Sequence, residues 1–177
     1  MNKFKLKFKP SQINKLSSAY DYQIDKEIVE SIVPRARESG YLNKKDFLKL
    51  CEWKTPRSKP LCRKNPEELI REITGISLKT KNEQLKIEIL TLLKGVNWPT
   101  ASTILHYTSG FAYPILDFRA LWSLGYEVPP KYNFNFWNDY TNFCRNAAKQ
   151  YKVSIRKFDK ALWQYSAENQ KWIISGL

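Results

Sequence analysis

The sequence predicts an all-α fold of about seven or eight helices. Three observations predict it. Apolar residues recur three and four positions apart in one segment after another. Residues that favour helix starts stand ahead of those segments. Only residues 3–9 (KFKLKFK) alternate in the manner of a strand, and no partner strand lies nearby.

Along the chain, Ile24, Ile28 and Ile32 stand four apart in a helical stretch over residues 24–39, which Pro34 is expected to kink or break. Asn43 is positioned to cap a helix running to about Lys54, with Phe47, Leu50 and Cys51 on one face. Asn65-Pro66-Glu67-Glu68 reads as a helix start, since proline suits the first turn and acids suit the dipole there. That helix carries Leu69, Ile70 and Ile73 to about Gly75. Thr80-Lys81-Asn82-Glu83 matches a capping box before Leu85, Ile89, Leu92 and Leu93. Further helices are expected from Pro99, after Asp117, from Asn135 to about Tyr151, and after Ser154.

With 177 residues, 42% apolar and 14% aromatic, the chain can bury a real core as one compact unit or as two helical lobes. The lobes would be a central one over 43–128 and a flanking basic one from 1–42 with 129–177. No apolar run is long enough for a membrane span, and the N-terminal residues lack the apolar stretch of a secretory signal. Three cysteines and a single histidine suit neither a disulfide framework, nor a zinc site, nor a four-cysteine cluster, so no metal or organic cofactor is expected. A reduced, cytoplasmic setting is the default.

The formal charge is +13. Residues 1–64 carry +9 and residues 129–177 carry +5, around a middle of −1. Such flanks favour a polyanion, most often nucleic acid. The densest cluster is Trp53-Lys54-Thr55-Pro56-Arg57-Ser58-Lys59-Pro60-Leu61-Cys62-Arg63-Lys64, with five cations and no acid. Its prolines stiffen it. It reads either as a loop gripping phosphates through Lys54, Arg57, Lys59 and Arg63, with Trp53 stacking a base, or as a connection whose Trp53 packs inward.

The most informative stretch is LLKGVNWPTASTILHYTSGFAYPILDFRALWSLG, residues 92–125. Gly95-Val96-Asn97 forms a tight turn, with Gly95 free to take a positive φ and Val96 directed into the core. A turn followed by a helix N-terminus offers backbone N–H donors to a phosphate, with Lys94 adding charge.

Leu93-x-Gly95-Val96-x-x-x-Thr100-Ala101 resembles the hairpin of the helix-hairpin-helix DNA glycosylase superfamily, which includes endonuclease III and the 3-methyladenine glycosylases. The superfamily's apolar-apolar-Asp segment is matched by Ile115-Leu116-Asp117, 18 residues after Pro99. Leu121-Trp122-x-Leu124-Gly125 resembles its closing segment. Three positions depart. Pro99 stands where bifunctional members carry a nucleophilic lysine, Asn97 replaces the second hairpin glycine, and Phe118-Arg119 replaces a Thr-His pair.

The resemblance implies a monofunctional glycosylase without lyase activity, or a relative that kept the fold without the chemistry and only binds DNA. The partner implied is double-stranded DNA, which would place the protein at the nucleoid. The sequence shows no coiled coil or oligomer seam, so a monomer is expected. Lys94, Gly95, Asn97, Trp98 and Thr100 would hold the strand.

Asp117 is the implied catalytic residue. An ionised carboxylate stabilises the positive charge that develops on deoxyribose and orients water. Read without the hairpin, Asp117 is a plain helix cap. Trp53, Phe118 and Arg119 are the candidate base pocket. His106 reads as a structural, hydrogen-bonded residue or as a base.

Overall fold

The computed structural model describes residues 3–21 and 23–170; of Gln23 and Ile24 only the backbone is described, so the expectation for the Ile24 side chain lies outside it. Among the described residues there is no strand. The helices are α1 (Ile13–Ala19), α2 (Gln23–Glu27), α3 (Val33–Ser39), α4 (Lys44–Lys54), α5 (Lys59–Cys62), α6 (Glu67–Lys79), α7 (Glu83–Glu88), α8 (Trp98–Thr108), α9 (Phe118–Ser123), α10 (Phe134–Gln150) and α11 (Ile155–Asn169). The longer of them account for the helices that the sequence predicts. No helix among the described residues is long and apolar enough to cross a membrane.

The caps explain most boundaries. The side chains of Asn43, Asn133 and Ser154 accept the backbone N–H of Asp46, Phe136 and Lys157 at 2.8, 2.9 and 3.1 Å, opening α4, α10 and α11. Two starts differ from expectation. Asn82, rather than Thr80, caps α7 by accepting Leu85 N–H at 2.9 Å, while Glu83 turns away to accept a hydrogen bond from the Tyr113 hydroxyl at 2.9 Å. Asn65 does not cap α6, and its amide serves the hairpin instead, as described below. Helix α6 also runs through Gly75 to Lys79, and the Thr80 N–H on the Ile76 carbonyl closes its last turn.

Pro34 does not end the helical stretch, which continues as α3 to Ser39. A π-helical turn over Ile28–Ile32 precedes it, in which the Val33 N–H bonds the Ile28 carbonyl five residues back. Widening the helix there relieves the clash that proline imposes on the preceding turn.

The alternating N-terminal segment pairs with a helix end and not with a strand. Lys5 and Lys7 donate N–H to the Leu124 and Ser123 carbonyls, both at 2.9 Å. Phe4 and Phe8 are buried, and the lysines face solvent. Lys7 lies 3.7 Å over the Trp122 ring.

Helix α8 is the axis of the molecule. Every residue from Thr100 to Tyr107 is buried, so α8 has no solvated face, which is the pattern of a central helix. One continuous core surrounds it, with Trp137, Tyr107, Tyr140, Phe47 and Phe158 as its largest fully buried side chains.

Candidate functional site

The hairpin forms as the residues predict. Gly95 has φ +83, and Val96 is buried with its N–H on the Leu93 carbonyl at 3.0 Å. Asn97 caps α8, so that Trp98 is its first residue and Pro99 its second. The buried Asn65 clamps the turn. Its Nδ2 donates to the carbonyls of Cys62 and Lys94 at 2.9 Å each, and its Oδ1 accepts the Lys94 N–H at 2.8 Å. The N–H groups of Lys94 and Val96 are engaged inside the protein, so these two turn donors do not face a phosphate. Thr100 is fully buried and bonds Asn97 and the Thr55 hydroxyl, at 3.3 and 3.2 Å. It joins the hairpin to the basic loop from inside, where no strand can reach it.

Asp117 is delivered by an extended segment that runs through the core. Residues 113–116 are buried, and helix side chains satisfy their backbone groups. Ser102 of α8 accepts Leu116 N–H at 2.9 Å. Asp159 of α11 accepts Ile115 N–H at 2.9 Å, and Tyr140 of α10 donates to the Ile115 carbonyl at 2.8 Å. His106 Nδ1 donates to the Tyr113 carbonyl at 2.6 Å. Buried backbone needs such partners, and here three helices together aim one carboxylate.

Asp117 then caps α9, with Oδ1 accepting Arg119 N–H at 2.8 Å. Its Oδ2 accepts from the Lys54 ammonium in an ion pair whose side chains are only 9% and 13% exposed. The expected phosphate grip of Lys54 is thus replaced by a role beside the carboxylate.

Two cavities share the Lys54, Asp117 and Phe118 side chains. One, of about 240 Å³, is walled by Tyr20, Trp53, Phe118 and Trp163, with Arg119, Ile115 and Asp159. Its size suits one planar group, being below the range of about 300–1,000 Å³ of pockets for larger ligands. The second, of about 490 Å³, opens between the basic loop and the hairpin, along Thr55, Arg57, Asn97, Pro99 and Tyr132.

The structure thus brings together Lys54, Arg57, Asn97, Asp117, Phe118, Trp53 and Arg119 from the residues that the sequence singles out. Trp53 packs inward, crossing Tyr107 edge-on at 5.6 Å, and also lines the smaller cavity. The Arg119 guanidinium lies 5.0 Å over the Trp163 ring. Others stay outside. Lys59 pairs with Glu52. Trp98 packs partly against the core. Lys94 and Arg63 are exposed and line neither cavity.

Tyr20, Tyr132, Asp159 and Trp163 line the site without any sequence signal, because each comes from a distant element. A wider groove of about 630 Å³, between the N-terminal segment and α10, contains one carboxylate, Asp139, held by Lys3 at 3.6 Å. It offers no second acid.

Behind the site lies a buried polar network. Arg156 pairs with Asp25, donates from Nη1 to His106 Nε2 at 3.0 Å, and lies over the Tyr107 ring at 5.2 Å. Burial, aided by the Arg156 charge, pushes His106 down to about 3, so His106 is a neutral structural residue near neutral pH. Burial pushes Asp159 up to about 6.

These two shifts act oppositely on stability. His106 is depressed in the folded state, so its contribution is lost as pH falls below about 6.5, at about 1.4 kcal/mol per pH unit. Asp159 is raised in the folded state, so its contribution is gained as pH falls from about 6 towards 4. The pair nearly cancels in that window. Thermal melts between pH 7 and 4 are expected to show a shallower acid loss for the wild type than for Asp159→Asn. Parallel curves would refute the opposition.

No family model matches the chain, and neither a curated protein nor a solved structure matches it.

Proposed function

We propose that the protein is a monofunctional DNA N-glycosylase that binds double-stranded DNA as a monomer. It takes a damaged or modified base out of the stack and cleaves its glycosidic bond with Asp117 and water. One observation carries this reading. Asp117, at the spacing that resembles the glycosylases, stands in the wall shared by an aromatic-lined cavity of one-base size and a basic cleft that reaches the hairpin. The smaller cavity would take the extruded base between Trp53, Phe118 and Trp163. The cleft would carry the strand, with Arg57 and the exposed Asn97 along it and Lys94 and Arg63 beside it.

The test is incubation with duplexes carrying deaminated, oxidised and alkylated bases, followed by alkali. Strand cleavage that depends on alkali supports the reading. Cleavage without alkali, with a borohydride-trapped adduct, would instead assign the Lys54 amine as a nucleophile attacking the sugar. No cleavage on any substrate, with DNA binding intact, would make the protein a non-catalytic helix-hairpin-helix binder.

Binding itself has a signature. Each phosphate contact contributes about −0.9 to the slope of log affinity against log salt. Arg57→Ala and Arg63→Ala are each expected to flatten that slope by about one. Titrations at several salt concentrations check this, and unchanged slopes would remove both residues from the interface.

A further inference from the structure

The smaller cavity holds two carboxylates in unlike surroundings. Asp117 stands at its mouth, paired with Lys54 and capping α9. Asp159 forms part of its wall from α11 and is 7% exposed. Asp159 Oδ1 is engaged by the Ile115 N–H, and Oδ2 lies 4.0 Å from Arg156 Nη1, beyond hydrogen-bond length. We propose that Asp159 is the general acid that protonates the departing base while Asp117 stabilises the sugar. This rests on the glycosylase reading and deepens it, because it selects neutral bases as the substrates that need the site.

The step balances. The C1′–N bond breaks, and its electron pair passes to the base. The Asp159 proton moves to the base, which leaves neutral. Asp117 stabilises the positive charge on the deoxyribose until the oxygen of water bonds C1′. The proton that this water releases restores Asp159. Two acids with different partners on one cavity are the usual arrangement of an acid and a counter-charge. Burial favours the protonated form of Asp159, and Arg156, Lys54 and the Ile115 N–H oppose it. Asp117, from the start of α9, favours the protonated form as well, and Tyr140 and Cys144 of α10 face the same carboxyl. A neutral purine such as hypoxanthine leaves poorly without a proton. An N7-methylated purine is already cationic and needs none.

The experiment compares single-turnover excision by the wild type and Asp159→Asn on hypoxanthine, 8-oxoguanine and 7-methylguanine duplexes from pH 5 to 8. Asn keeps an oxygen for the Ile115 N–H. On neutral bases the wild-type rate is expected to fall as pH rises through about 6, and Asp159→Asn is expected to be about 10²-fold slower or worse at pH 6, without that limb. Neither effect is expected on 7-methylguanine, and binding to an abasic-analogue duplex is expected to be unchanged. Should Asp159→Asn fail to fold, the wild-type pH limb and its absence on the cationic base test the same role.

Excision of a neutral base with no such limb, or at equal rates in both proteins, would overturn the role of Asp159 and leave the glycosylase reading standing. Equal losses on neutral and cationic bases would reduce Asp159 to a positioning residue and overturn it too. Activity confined to 7-methylguanine would leave the acid without a reaction. A wild type that excises nothing would overturn both readings.

Discussion

Asp117→Asn is expected to slow base excision by about 10²–10³-fold. A carboxylate about 4 Å from a developing cation is worth about 4 kcal/mol at an effective dielectric constant near 20, or nearly three decades in rate. The paired Lys54 ammonium reduces that gain and sets the lower end of the range. Asn retains an oxygen for the Arg119 N–H, so α9 still starts at the same residue. The substitution leaves the Lys54 ammonium in a site where its side chain is 9% exposed without its anion, so some loss of stability accompanies the loss of rate. Rate, melting temperature and affinity for an abasic-analogue duplex, measured together, separate these effects. A wild-type excision rate in Asp117→Asn would refute the catalytic assignment and leave the residue as a helix cap.

Gly95→Ala is expected to have the largest effect on stability, a loss of about 3 kcal/mol. The φ of +83 is left-handed, which costs a residue with a Cβ about 1–2 kcal/mol. The added methyl would also stand 2.7 Å from Cys62 Sγ, 3.0 Å from the Cys62 nitrogen and 3.1 Å from Leu61 Cβ. Overpacking of that kind costs about 1–3 kcal/mol. Because α5 lies directly on the turn, the strain is expected to move the hairpin and weaken DNA binding as well. Urea melts with an unchanged slope check the first effect, and salt-matched titrations check the second. In a double-mutant cycle, Cys62→Ala should recover only the part due to Sγ, since the backbone contact and the φ remain. A loss below 1 kcal/mol would mean that the turn is far softer than its contacts indicate.

The two residues illustrate how differently parts of the site could be read from the chain. The need for glycine at 95 was legible because a turn between two helices imposes it locally. So was the cap at Asp117, because its bond to Arg119 N–H spans two residues. The helix starts at Asn43, Asn133 and Ser154 follow from the same short-range chemistry, although the sequence places the first residue of α10 at Asn135, one residue after Phe134. The exceptions arise where a longer-range partner outcompetes the local one. Asn65 gives up α6 for the Lys94 and Cys62 carbonyls, and Glu83 gives up a capping box for the Tyr113 hydroxyl.

The charged neighbours of Asp117 are not legible in the sequence. In the sequence Lys54 is one cation of a basic cluster, and its pairing depends on how α4 packs beside α8. Asp159 carries no sequence signal of its own. Its proximity to Asp117 requires α11 to cover the segment before α9, and no periodicity in either helix announces that. The sequence by itself determined an all-α chain, its principal helices and caps, the Gly95 turn and a cationic surface, because propensity, capping and charge act over a few residues. Only the tertiary structure decided which cation meets Asp117, which acid stands behind it, and that aromatic residues from four separate parts of the chain enclose one cavity. Those pairings come from packing between distant segments, where burial and shape, rather than spacing along the chain, select the neighbours.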